Sequence, residues 1–171
     1  MSKYVTLADY NQFYSDNILE PDFNRFVVCA SAKADRLTTG VDGVKKLKVA
    51  FPTDADDVEV VKAAICGVIH LMNEIEKANE AASVGGYVTR DDGTVIGKIA
   101  TSISSGSESI SYSAATGGQS TASVLIGDSK AQNEAYNTIL EEGFRGVTDA
   151  NGVNLMYMGV YPLDLRGTDD V

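Results

Sequence analysis

The stretch from Asp54 to about Ser83 constrains this chain more than any other. Val58, Val61, Ile65, Val68, Ile69, Met72 and Ile75 recur at threes and fours, the spacing that stacks side chains on one face of an α-helix. No proline interrupts the run. Asp54 is placed to cap the first turn, and Asp56, Asp57 and Glu59 put negative charge at the positive end of the helix dipole. Such a helix reaches about 40 Å, so every other element is expected as a shorter piece laid against it. Val61, Ile65, Val68 and Met72 are its core candidates. Its other side carries Ala63 and Gly67, a shallow face that can receive either a helix of the same chain or a neighbouring subunit.

Two shorter helices are predicted before it. Thr6, with Asp9 three residues on, caps the first, and Asn17 to Pro21 break it. Asp22 is read as the cap of the second, which runs to Gly40 with Phe23, Phe26, Val27, Ala30, Ala34 and Leu37 on its apolar face. Residues 41–53 connect, with VKKLKVAF as a short basic helical turn closed by Pro52.

After Ser83 the pattern changes. GGYVTRDDGTVIGKIA places an Asp-Gly turn between β-prone runs, a hairpin signal. The Ser/Thr/Gly-rich stretch that follows has Ile103, Ile110 and Tyr112 as its few anchors, and Ser109 to Ser113 as a candidate strand. Helical spacing returns from Asp128 with Ala131, Ala135, Ile139 and Leu140, and Gly143 is the expected stop. A turn at Asn151-Gly152 leads into Leu155, Met156, Tyr157, Val160 and Tyr161, an apolar group too large to leave in water. The expected fold is mainly α. It is a helical bundle around one long central helix, with a β-hairpin and strand-containing Ser/Gly-rich insertion and an extended C-terminal tail. Its segments are a helical core (1–83), the insertion (84–127), a returning helix (128–145) and a docking tail (146–171).

Composition narrows function. With 24 acidic against 14 basic residues, the net charge of −10 repels phosphate backbones and disfavours sequence-specific nucleic-acid binding. No apolar run approaches a membrane span, and the N-terminus lacks the apolar core of a signal peptide. Cys29 and Cys66 have no metal-like spacing and read as reduced structural thiols, which implies synthesis inside a cell. His70, the single histidine, falls nearly opposite the Ile65–Met72 face, where a solvent- or subunit-facing role is the plain reading. There is no G-x-S-x-G, no phosphate-binding glycine motif and no EF-hand spacing among Asp54, Asp56, Asp57 and Glu59. Neither catalytic nor metal-ligating residues, nor a cofactor, are therefore expected. Lys45, Lys46 and Lys48 form the one basic cluster, read as a solvated turn or a contact with an acidic neighbour or a DNA phosphate.

The order of segments carries a resemblance. A helix pair, a long acid-capped helix, a strand-like SESISYS (Ser107–Ser113), a further helix and a terminal GVNLMYMGV (Gly152–Val160) follow one another. This order resembles the head–tail connector (adaptor) proteins of tailed bacteriophages. The resemblance covers most of the chain; the 84–99 hairpin and the tail beyond Val160 depart from it. It implies a non-enzymatic virion protein, made in the host cytoplasm, that forms a dodecameric ring beneath the portal. DNA passes through such a ring without specific binding, and a downstream neck or tail protein docks on its far side. Leu155, Met156, Tyr157, Val160 and Tyr161 would then reach the portal, and Ala63, Gly67, Ile110 and Tyr112 would meet neighbouring copies. Two other readings stand beside it, a tail-completion or other neck protein and a cytosolic helical binding module. An enzyme is the weakest reading, because no acid, base or nucleophile stands out.

Overall fold

The computed structural model describes the backbone of residues 3–85, 87–89, 95–104, 109–114 and 121–162, and side chains at 3–80 and 121–162. The chain is mainly helical. In order it forms α1 (Leu7–Phe13), α2 (Glu20–Leu37), α3 (Lys46–Val49), α4 (Ala55–Gly85), β1 (Tyr87–Thr89), β2 (Val95–Ser104), β3 (Ser109–Ala114), α5 (Thr121–Val124) and α6 (Ser129–Phe144). It divides into two compact units, one of Met1–His70 with Ala135–Val171 and one of Leu71–Glu134. The segment after 146 therefore shares a unit with the N-terminal helices, although the sequence reads it as a separate docking tail.

Helix starts follow the sequence closely. Thr6 and Asp9 make a reciprocal capping box on α1. The Asp54 carboxylate accepts the amides of Asp56 and Asp57 at 3.0 and 3.2 Å and starts α4, whose 31 residues span about 46 Å. At α2 the expectation of an Asp22 cap is corrected. The helix starts earlier, at Glu20, and Leu19 at its cap position makes no side-chain hydrogen bond. Pro21 is accommodated within the first turn, where an amide would be unpaired anyway. Asp22 instead pairs with Arg25 at 3.2 Å.

The core of the first unit lies around the first half of α4. Val61, Ile65, Val68 and Ile69 are fully buried, as are Val27, Ala30 and Ala34 of α2, and Phe23 and Phe26 of α2 are buried beside them. Met72 is only half-buried. Residues 64 to 69 are buried without a break, so α4 has no solvent side there. Lys62 ties it to α1 through Asp9 at 2.8 Å. Burial works against the Asp9 carboxylate, yet the Lys62 ammonium and the Thr6 hydroxyl and amide hold it below the usual carboxylate range.

Helix α6 fills the shallow face of α4. A methyl group at Gly67 would lie 3.1 Å from Ile139 and 3.4 Å from the Tyr14 hydroxyl, and one at Gly143 would lie 2.4 Å from the Ala64 methyl. The order of these two contacts makes the helices antiparallel. Gly143 is thus a packing position and not the expected stop. The helix runs on to Phe144 and the chain turns at Gly146, whose φ of 84° favours glycine. The buried stripe of α6 is Tyr136, Leu140 and Phe144, with Lys33 of α2 4.9 Å above the Tyr136 ring.

In the second unit the Asp128 carboxylate caps α6, accepting from Lys130 and Ala131 at 3.0 and 2.9 Å. Ile75, Ala122, Leu125 and Ile126 are buried. The backbone of β1, β2 and β3 pairs antiparallel in that order, with Tyr87 opposite Gly97 and Ile103 opposite Ile110. The Asp91–Gly93 turn and Ser107–Glu108 lie outside the described residues, as do the side chains of Ile110 and Tyr112.

Candidate protein-docking surface

The segment after α6 does not hang free. Two antiparallel bridges shape its surroundings, Thr148 with Asn154 and Thr39 with Lys45. The first closes over the Asn151-Gly152 turn, where Gly152 has a φ of 76°. The second closes the connector between α2 and α3. The two hairpins meet where the Val41 amide donates to the Met158 carbonyl at 3.0 Å and the Tyr161 amide to Asp42 at 2.8 Å. A methyl group at Gly40 would lie 2.6 Å from the Gly159 carbonyl oxygen, so the backbones touch without room for a side chain.

A buried polar cluster holds this junction. Lys46 is fully buried, and its ammonium donates to the carbonyls of Thr38 at 2.9 Å and Leu155 at 3.4 Å. Burial pushes its pKa down, while the carboxylates of Asp42 and Asp149 hold it up. The Tyr161 hydroxyl donates to Asp149 at 2.5 Å and accepts from the Asn151 amide at 2.9 Å. Burial and that carboxylate together push the Tyr161 phenol up to about 12. Asp149 also accepts the amides of Asn151 and Val153, both at 2.9 Å. The Asp57 carboxylate, read from sequence as dipole charge alone, accepts the Thr148 amide at 3.2 Å and so links the start of α4 to the tail.

This anchoring sorts the residues read as a docking tail. Leu155 and Tyr161 are buried inside their own subunit and Met156 is half-buried, which removes the first two from any docking face. Tyr157 and Val160 remain exposed, at 51% and 56%, beside Met158 at 43%. The tail is tied inward at the Met158 carbonyl and the Tyr161 amide, while Met158 and Val160 stay exposed and the Tyr157 ring lies along Gly159. Sequence reading missed Val41, at 79% the most exposed large apolar residue among those described, which is joined to Met158 by a backbone hydrogen bond. Its signal was weak, a single valine before an Asp-Gly turn. Lys46 was missed too, since nothing in KKLK separates the buried lysine from its exposed neighbours Lys45 and Lys48.

The remaining candidates fall elsewhere. Gly67 faces Ile139 and Tyr14 of its own chain, so its inter-subunit role is corrected to an internal one; Ala63 is half-buried. His70 is not simply solvent-facing. Its ring stacks on Tyr14 at 4.1 Å and 12°, and its Nδ1 lies 3.2 Å from the Tyr10 hydroxyl. That hydroxyl donates to Asp16 at 2.9 Å, so the proton between Nδ1 and Tyr10 belongs to the imidazole. Burial and the Asp16 carboxylate raise the Tyr10 phenol far above its ordinary value. The arrangement pins the chain after α1 onto α4. Cys66 is buried, and that burial pushes its thiol up to about 12; Cys29 is exposed. No described helix is long and apolar enough to cross a membrane.

Comparisons with protein-family models, with curated proteins and with solved structures found no match.

Proposed function

We propose that this chain is a structural virion protein, a head–tail connector that joins a ring of its own copies to a phage portal. The observation that carries the reading is the exposed group Tyr157, Met158 and Val160, held outward on a segment whose other side is tied into the fold. Isolated apolar side chains on a surface are ordinary, whereas a contiguous set on an anchored segment fits a protein contact. The segment order of the sequence supplies the phage setting, and the strand-bearing stretch between α4 and α5 is read as the insertion that meets neighbouring subunits or the tail-side partner. The predominance of helix supports this reading over a tail-completion protein, for which a β-rich chain is expected. The acidic balance suits a DNA tunnel in which adhesion would be a fault.

Electron microscopy of virions, or of this protein mixed with its portal, tests the proposal. Density for this chain in the neck is the expected result. Particles whose neck lacks it would refute the connector role. A cytosolic helical binding module is the second reading, favoured by one observation, that α6 of the same chain fills the Gly67 face. Sedimentation that stays monomeric or dimeric even with a portal present would select it.

A further inference from the structure

Basic residues are concentrated in the stretch that carries Val41. Five of the 14 Lys and Arg of the chain lie between Lys33 and Lys48, against two of its 24 acids. Both of those acids are turned inward, Asp35 to the Tyr4 hydroxyl and Asp42 to the amides of Tyr161 and Val44. Of the basic residues, Arg36, Lys45 and Lys48 are exposed. Lys45 stands on the hairpin that carries Val41, and Lys48 on α3, which Lys46 fastens to the Leu155 carbonyl. A chain of net charge −10 therefore carries exposed lysines on the two elements fastened to the segment that bears Tyr157, Met158 and Val160.

We infer that the surface formed by Val41, Tyr157, Met158 and Val160, with Lys45 and Lys48 on the elements fastened to it, takes an acidic protein segment that carries carboxylates beside apolar side chains. The central apolar side chains need a partner that can bury them, which a phosphate backbone does not offer. The lysines need opposite charge across the interface, which speeds encounter and rejects basic partners. The inference rests on the docking reading above for the presence of a protein partner, but not on that partner's place in a virion. Absence of the chain from a virion neck would leave the following test unaffected.

The test is selection of a random-peptide display library on the immobilised full chain and on a Lys45→Glu/Lys48→Glu variant. Both lysines are exposed, and circular dichroism checks that the variant keeps its fold. The expected result is enrichment of peptides with clustered Asp or Glu next to apolar residues. Their binding should weaken with added salt and fall about tenfold or more in the variant, where basic peptides replace them. A Val41→Asp variant should lose the same peptides. Enrichment of neutral or basic peptides on the unaltered chain, enrichment indifferent to the charge reversal, or no enrichment would overturn the inference. So would tighter binding of an oligothymidine than of any selected peptide. Self-association that the reversal abolishes, without peptide enrichment, would assign the surface to a second copy and overturn it as well.

Discussion

Two stretches of this chain look equally adhesive as sequence, the Ala63–Gly67 side of α4 and the apolar run from Leu155 to Tyr161, and the fold treats them differently. The α4 side is consumed within the subunit. Ile139 lies over Gly67 and Gly143 closes on Ala64, so the two helices touch through positions too small to hold them apart. The tail is divided. Leu155 and Tyr161 go inward, held by Lys46, Asp149 and Asp42, while Tyr157, Met158 and Val160 stay out. Apolar packing thus covers one surface at Gly67 and Ala64, and a polar anchor keeps another open. An apolar residue beside a hydrogen-bonded turn is a better candidate for contact than a small residue on a long helix.

Four substitutions probe that contrast, the most damaging first. Ile65→Ala should be the costliest, about 2–5 kcal/mol of stability, because the site is sealed on all sides and cannot collapse freely; urea denaturation measures it. Gly143→Ala should follow at about 1–3 kcal/mol, since the added methyl would stand 2.4 Å from that of Ala64 and the helices must part. A neutral result would mean that α6 does not sit against α4 as described.

The tail should add its own alkaline pH response to that of the buried Cys66 thiol on α4. Folding raises the Tyr161 phenol from 10.0 to about 12, so the folded chain keeps a proton that the unfolded chain sheds first. That contribution is fully present below pH 10 and is lost as pH climbs towards 12. Tyr161→Phe should flatten the fall in unfolding free energy across this window, read from denaturation midpoints at successive pH values. Unchanged steepness would place the hydroxyl in water. Smallest of all, Tyr157→Ser with Val160→Ser should move stability by no more than about 0.5 kcal/mol, as exposed positions do, while weakening whatever docks there.

The sequence made the helices legible and left their neighbours obscure. Caps gave the starts of α4 and α1, because Asp54 and Thr6 act on amides two or three positions away; α1 ends at Phe13, short of the break expected at Asn17. The start of α2 was misplaced because Pro21 suits either a break or a first turn. Long-range choices left no local mark. Nothing in the order of residues says that Lys46 would reach Leu155, 109 positions on, or that Gly67 would meet Ile139. The tail was correctly singled out as apolar, but which of its side chains face inward depends on partners contributed by Asp42 and Lys46. His70 was placed on the less apolar side of α4, yet its stack on Tyr14 required knowing how the chain returns after α1.

The division of the tail into an anchored and an outward side is best tested by native-state hydrogen exchange on the full chain. The amides of Asp149, Leu155 and Tyr161 donate to Val153, Val147 and Asp42, and should be protected alongside the buried turns of α4. Exchange of all three at the rate of an unstructured peptide would show a loose tail and contradict the account.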